Sequence, residues 1–262
     1  MTAQEFIFDT PLYQKVPTSE NSIFLDEISS SGACYEGYNP IKKTETTYRL
    51  VRGLCNPYEG SYNSSIIKKT GILELHLECG RYGNTLLVFV LWDASQKTIM
   101  KIGQLPSVAD IHIGQIKQYN SVLSKDKLKE FTRAIGLAAN GVGIGSFVYL
   151  RRIFEGLVAE AEEKEIKNGN IDHDLFVKAR MDDKIKMVEN YLPKFLVDNR
   201  KIYGILSAGI HELNEEECLG FFSIMRESIE LILEQKLEEK EMENRIANAQ
   251  KAINSINAKI KN

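Results

Sequence analysis

The sequence predicts an α+β fold in which an antiparallel β domain is followed by an all-helical bundle with a long C-terminal helix. Apolar residues alternate with a period of two before Pro106, and they follow a helical period after it. The length of 262 residues leaves room for two domains. We therefore expect a β-rich domain over residues 1–106, a helical domain over 107–240 and a coiled-coil-like tail over 241–262.

The β domain is predicted from short β-rich runs that are separated by turn-forming residues. The expected strands are SIFLDEI, TTYRLV, TGILELHLEC, NTLLVFVLW and KTIMKIG, all between residues 22 and 103. The segments SSSGACYEGYNP, GLCNPYEGSYNSS and GRYGN are rich in Gly, Ser, Asn and Pro, so we expect loops and turns there. Polar and apolar residues alternate in ILELHLEC, which predicts one buried and one wet face.

The helical domain is predicted to begin directly after Pro106. Ser107 is the expected N-cap of a helix over 107–123, and a second helix should start near Ser124 and be interrupted in LAANGVGIGS. A long helix is expected over SFVYLRRIFEGLVAEAEEKEI. Arg151 and Arg152 lie within this apolar helix, so each arginine needs a partner for its charge. Glu155, on the next turn, is the expected internal partner of one of them.

Three further helices complete the predicted bundle. One spans about residues 174–192 and is closed by Pro193, because a proline restricts the residue before it. RKIYGILSAGIHEL should form a short helix. The last helix should begin at Asn214 with the capping box N-E-E-E, in which Glu217 reaches back to the Asn214 backbone amide.

The end of the last helix has a coiled-coil pattern. Its apolar residues follow a 4-3-4-3-4 spacing in a stretch without Pro or Gly, and they are Met242, Ile246, Ala249, Ile253, Ile256 and Ile260. A lone helix with this pattern would leave isoleucines in water, so we predict packing against another helix, and favour that of a second subunit in a homodimer. A frayed helix end is the alternative.

Charge and cysteine usage restrict the class of protein. The 33 Lys and Arg residues against 36 Asp and Glu give a net charge of −3, which provides no chain-wide positive field for nucleic acid or acidic membranes. The first 20 residues lack the pattern of a signal peptide, and no window has about 18 uninterrupted apolar residues. We therefore expect a cytoplasmic protein without a membrane partner, whose four cysteines are reduced.

Three separated blocks resemble a known family. KIGQLPSVADI, GVGIGSFVYLRRIFEGLVAEA and LPKFLVDNRKIYGILSAGIHELNEEECL are similar to poorly characterised bacterial proteins in which a small zinc-ribbon-like β domain precedes a HEPN-like (higher eukaryote and prokaryote nucleotide-binding) helical domain. The resemblance covers roughly residues 70 to 235. HEPN-like domains occur in ribonuclease toxins, phage-defence effectors and inert adaptors, so the resemblance leaves the function open.

Active HEPN-like proteins use an Arg followed by four to six residues and a His, which together cleave RNA across a dimer interface. None of the four histidines here has an Arg at that spacing. The catalytic candidates that remain are His211, Arg151 and Arg152. We therefore predict a non-catalytic binding or adaptor protein, in phage defence or a nucleic-acid-linked stress response, with a protein or nucleic-acid partner. A ribonuclease or toxin with a non-standard site is the alternative.

Zinc-ribbon relatives should hold their metal through two closely spaced ligand pairs. This chain has no CxxC pair, and the ligand candidates are Cys34, Cys55, His76 and Cys79. His76 and Cys79 are an odd number of residues apart, so they should face opposite sides of a regular strand. We predict a degenerate, metal-free ribbon and no cofactor.

Three glycines, Gly141, Gly143 and Gly145, form a short run before the long helix. Glycines at a helix start let backbone amides approach a phosphate, which makes a nucleotide or small-molecule sensor a further alternative. The GxGxxG spacing and a preceding strand are both missing. Close packing of two helices is the favoured explanation.

Overall fold

A computed structural model describes residues 1–18, 23–55, 69–168 and 171–260. It shows an antiparallel sheet together with α-helices, the last of them long, which confirms the predicted α+β class. The helices are α1 (Ala3–Phe8), α2 (Ile23–Ser29), α3 (Val108–Ile116), α4 (Lys125–Ala139), α5 (Gly143–Lys167), α6 (His173–Lys178), α7 (Met181–Met187), α8 (Lys194–Asp198), α9 (Lys201–His211) and α10 (Glu215–Ile260). The strands are β1 (Lys15–Pro17), β2 (Cys34–Asn39), β3 (Thr44–Cys55), β4 (Gly71–Cys79), β5 (Thr85–Asp93) and β6 (Thr98–Leu105).

The chain forms two compact units, each built from separated stretches. The first unit comprises Met1–Lys117, Thr132–Ser146 and Asn214–Gly220, and the second comprises Gln118–Phe131, Phe147–Leu213 and Phe221–Asn262. None of the helices in the described residues is both long and apolar enough to cross a membrane.

The first unit contains the sheet, whose strands have the order β1-β6-β5-β4-β3-β2 with antiparallel pairing throughout. In β4, Leu73, Leu75, Leu77 and Cys79 are buried, whereas the residues between them are at least partly exposed, which confirms the predicted alternation. The buried face packs against side chains of α1, α2 and α3, including Phe6, Ile28 and Ile111. Burial of each such side chain contributes about 1.5–3 kcal/mol.

Two predictions in the first unit were wrong. SIFLDEI is not a strand, because its residues 23–28 lie in α2, in which Leu25 and Ile28 are three apart and both pack on the core. The predicted loop SSSGACYEGYNP contains β2, whose pairing with β3 sets Tyr35 opposite Tyr48 and buries both rings. Residues 56–65 of the second predicted loop segment, GLCNPYEGSYNSS, lie outside the described residues.

The predicted helix starts at Ser107 and Asn214 are confirmed. The Ser107 hydroxyl accepts a hydrogen bond from the Asp110 amide at 3.1 Å. The Asn214 amide donates to Glu217 Oε2 at 3.0 Å, and the Glu217 amide donates to Asn214 Oδ1 at 2.9 Å. Each start therefore satisfies its free amides locally.

The second unit is helical, and its core includes Phe147, Phe154, Ile229 and Leu233. The single helix predicted over 174–192 is wrong, because the chain forms α6, α7 and a short 3₁₀ segment there. Ala179 and Arg180 both adopt extended backbone angles, which end α6 before α7 begins. The helix predicted over 107–123 likewise ends at Ile116 and continues as a 3₁₀ turn.

Candidate functional site

Arg151 is held in a network within the second unit. Its Nε lies 2.9 Å from Glu155 Oε1, as predicted, and its Nη2 donates to the Tyr203 hydroxyl at 2.9 Å. That hydroxyl in turn donates to Glu155 Oε1 at 3.1 Å, and the guanidinium lies 5.2 Å from the Tyr203 ring centroid. Burial and the Glu155 carboxylate raise the pKa of Tyr203 above its ordinary value. The arginine charge is therefore compensated inside the protein.

Arg152 has a separate set of partners. Its Nη2 lies 2.6 Å from Glu130 Oε1 in α4. Lys127 contacts the other oxygen of this carboxylate at 3.0 Å, and its amine also donates to the Arg152 carbonyl at 2.8 Å. Both candidate arginines thus contact internal carboxylates, which compete with any external phosphate for the same donors.

His211 is the last residue of α9 and is exposed to solvent. A histidine at this end of a helix interacts favourably with the helix dipole when it is protonated. Among the described contacts, none joins His211 to Arg151 or Arg152. The three catalytic candidates therefore do not form one hydrogen-bonded group.

The glycine run lies at the start of α5, in the first unit. The amides of Gly143 and Ile144 both donate to Glu215 Oε2, the second at 3.0 Å. A Cβ added at Gly143 would come within 2.6 Å of the Glu215 carbonyl oxygen, so this glycine allows close helix packing. Gly141, with φ of +80°, provides the turn before it, and Gly145 lies within α5. The amides that a bound phosphate would need already contact an internal carboxylate.

The zinc-ligand candidates are spread over both faces of the sheet. Cys34 is exposed on β2, whereas Cys79 faces the core with its Sγ 3.2 Å from Thr46 Oγ1. Cys55 is buried at the end of β3, and His76 lies on the face of β4 opposite to Cys79, as predicted. In the part of the chain that the structure describes, no three His, Cys, Asp or Glu side chains are grouped as metal ligands.

Lys101 is a buried charged residue that the sequence analysis missed. It is fully buried on β6, and its Nζ donates to the Ile7 carbonyl at 3.2 Å and to Gln104 Oε1 at 2.9 Å. Burial lowers the pKa of its amine to about 7, although Asp9 opposes this shift. The signal was present, since Lys101 is two residues after buried Ile99 on an alternating strand. Because no solvent reaches the amine, its role is to attach α1 to the sheet.

The apolar residues near the end of α10 are exposed. We call Met242, Ile246, Ala249, Ile253 and Ile256 the α10 stripe. The exposed fractions of its large side chains are 53% for Met242, 61% for Ile246, 59% for Ile253 and 58% for Ile256. The side chain of the sixth predicted residue, Ile260, lies outside the described residues.

The exposed apolar surface extends toward the start of α10. Exposed Ile224 and Leu231 lie about five and about three turns before Met242, so they fall on the same side of an ideal helix. Ile229, Ile232 and Leu233 face the core of the second unit. The helix therefore has one apolar face that is covered by the chain and another that is exposed.

A cationic and aromatic group lies at two neighbouring turns of the sheet. We call Lys42, Lys43, Arg81 and Tyr82 the turn patch. Lys42 Nζ lies 5.6 Å and Arg81 Cζ 5.3 Å from the Tyr82 ring centroid, and the ring is partly exposed. Lys43 has a φ of +55°, an uncommon backbone conformation for a lysine.

The turn patch is held in place by the turns that carry it. The Asn39 side chain donates to Asn84 Oδ1 at 3.2 Å and so connects the two turns. The Lys43 amide donates to the Asn39 carbonyl at 2.7 Å. None of the three cations forms an ion pair with a described carboxylate. The patch thus presents positive charge beside an aromatic ring.

Comparison with known proteins gives no relative for this chain: no family model, no curated protein and no solved structure matches it.

Proposed function

We propose that the protein is a non-catalytic binding or adaptor module that associates with itself through the α10 stripe. The observation that carries this proposal is the exposure of four large apolar side chains at coiled-coil spacing on one helix. Full burial of each side chain would contribute about 1.5–3 kcal/mol to the free energy of association. The stripe is therefore best covered by another helix with an apolar stripe.

The assignment as non-catalytic is supported by the surroundings of the predicted catalytic residues. Arg151 and Arg152 each contact an internal carboxylate, and His211 is not joined to either of them in the described contacts. The sequence also lacks the Arg-to-His spacing of active HEPN-like proteins. In this proposal the helical half is HEPN-like, and the adaptor acts in bacterial phage defence or a nucleic-acid-linked stress response.

Sedimentation of the full chain tests self-association. We expect a dimer for the natural sequence and a monomer for the double variant Ile246→Asp, Ile253→Asp. The matched control is Asn248→Asp, Ser255→Asp, which adds the same charge at the same spacing on the opposite side of an ideal helix. A natural chain that sediments as a monomer, or a control that dissociates as fully as the stripe variant, would overturn the proposal.

The alternative of a ribonuclease has its own test. The purified chain is incubated with labelled single-stranded RNA beside the variants His211→Ala and Arg152→Ala. We expect no cleavage by any of the three proteins. Cleavage by the natural chain that disappears in either variant would show a catalytic site and would contradict the adaptor assignment.

The turn patch favours a second candidate function, which is binding of single-stranded nucleic acid. Surfaces that bind single strands usually combine cations, which contact the phosphates, with an aromatic ring, which stacks on the bases. We expect weak, salt-dependent RNA binding that is lost in Lys42→Gln, Arg81→Gln but kept in Lys117→Gln, Lys178→Gln, which removes the same charge elsewhere. Equal binding by both variants would reject the turn patch as the binding surface.

A further inference from the structure

We propose that the partner of the α10 stripe is a second copy of this chain whose α10 runs antiparallel to the first. This inference rests on the proposed self-association and adds its orientation. It follows from the position of the stripe, from the distribution of charge along α10 and from the contacts that two lysines of α10 make within the second unit.

The stripe is matched to itself when two copies cross near Ala249. Met242 lies seven residues before Ala249, and Ile256 lies seven residues after it. Likewise, Ile246 lies three residues before and Ile253 four residues after. In an antiparallel pair centred there, each large stripe residue therefore faces a large stripe residue of the other copy. The small side chain of Ala249 at the centre lets the two helices approach closely.

The acidic part of α10 determines the orientation. Residues 238–243 contain the four acids Glu238, Glu239, Glu241 and Glu243, whereas residues 244–262 contain none. The nearby lysines are engaged elsewhere, because Lys236 contacts Glu160 and Lys240 donates to the Ser121 carbonyl. None of the four acids forms an ion pair with a described residue. Residues 238–245 thus contain four acids against the two cations Lys240 and Arg245, so this part of the helix has a net charge of −2.

A parallel pair would set these four acids beside the same four acids of the partner. Helices in contact have axes roughly 8–10 Å apart, so the repulsion would act within about one Debye length. In the antiparallel pair the two acidic segments are separated by about 25 Å, from about 17 residues at 1.5 Å per residue. Residues 255–260 then lie opposite each acidic segment, and their only charged residue is Lys259. Charge thus favours the antiparallel pair.

Cysteine cross-linking distinguishes the two orientations. The background is Cys34→Ser, because Cys34 is the exposed cysteine and the other three are buried. Three single variants are made in it: Met242→Cys, Ala249→Cys and Ile256→Cys. On mild oxidation we expect the Ala249→Cys band to move from the monomer mass to twice that mass. The Met242→Cys protein alone and the Ile256→Cys protein alone should give only the band at the monomer mass. When the two proteins are mixed, a disulfide-linked band at twice that mass should appear.

The outcomes separate this inference from the proposed function. A chain that dimerises in sedimentation, but whose Met242→Cys and Ile256→Cys proteins each cross-link alone, would keep the self-association and overturn the antiparallel orientation. Sedimentation as a dimer without cross-linking at Ala249→Cys would also overturn it. A chain that does not dimerise at all would overturn the proposed function itself.

Discussion

Glu130 and Arg152 form a 2.6 Å ion pair in which the carboxylate side chain is 10% exposed and the guanidinium side chain is 55% exposed. Lys127 contacts the same carboxylate from the other side. A carboxylate that is this buried is costly to leave without a cation, so the pair contributes more than a typical surface pair.

Replacing Arg152 should therefore lower the stability of the fold. We expect Arg152→Met to reduce the free energy of unfolding by about 1–2 kcal/mol, because the partly buried Glu130 keeps only one cation. The measurement is urea unfolding followed by circular dichroism. Lys194→Met breaks the exposed pair with Asp198 and should cost under about 0.5 kcal/mol. Equal losses in the two variants would contradict the importance of burial.

The buried amine of Lys101 should make stability depend on pH. Its pKa is about 7 in the folded chain against an ordinary value of 10.5, so the unfolded chain binds more protons between these two values. Stability therefore rises with pH across that interval, by up to about 1.4 kcal/mol per pH unit. We expect the unfolding free energy of the natural chain, measured relative to Lys101→Met, to increase from pH 7 to pH 9. A difference that stays constant would show that the amine keeps its ordinary pKa.

Two glycines of α9 should respond to alanine in opposite directions. A Cβ at Gly209 would lie 2.1 Å from Phe147 Cδ1, whereas a Cβ at Gly204 meets no atom within 4 Å. We expect Gly209→Ala to lower the unfolding free energy by about 1–3 kcal/mol through overpacking. Gly204→Ala should raise it by about 0.5–1 kcal/mol, since alanine favours the helix. Thermal unfolding of both variants is the measurement, and a shift of the same sign in both would contradict the close packing.

The four cysteines should differ in reactivity toward a thiol reagent. Cys34 is exposed, whereas Cys55, Cys79 and Cys218 are at most 1% exposed. Burial also raises the pKa of the Cys55 and Cys218 thiols, which disfavours the reactive thiolate. We expect one thiol to react rapidly in the native protein and all four in denaturant. The rapid phase should disappear in Cys34→Ser. A thiol that still reacts rapidly in this variant would contradict the described burial.

Local signals were sufficient to predict several elements. The caps at Ser107 and Asn214 depend on residues three positions away, so the sequence alone contains the complete interaction. The alternation in β4 likewise follows from neighbouring residues. The partner of Arg151 was predictable for the same reason, because Glu155 lies one helical turn further.

The missed features depend on residues that are distant in sequence. The strand β2 is stabilised by pairing with β3, which its turn-rich composition does not reveal. Glu215, the carboxylate at the amides of Gly143 and Ile144, lies more than 70 residues further along the chain. The turn patch also joins two separate turns, at residues 42–43 and 81–82.

Neither compact unit is encoded by an uninterrupted piece of the gene. The sheet-bearing unit also includes residues 132–146 and 214–220, and stretches of the helical unit lie between them. An expression clone that stops at residue 117 would omit both of these pieces. A fusion junction between residues 118 and 220 would likewise divide at least one unit between two products, and a deletion there would remove part of a unit. Changes to this protein are therefore best introduced as point substitutions, which leave the discontinuous pieces of each unit together.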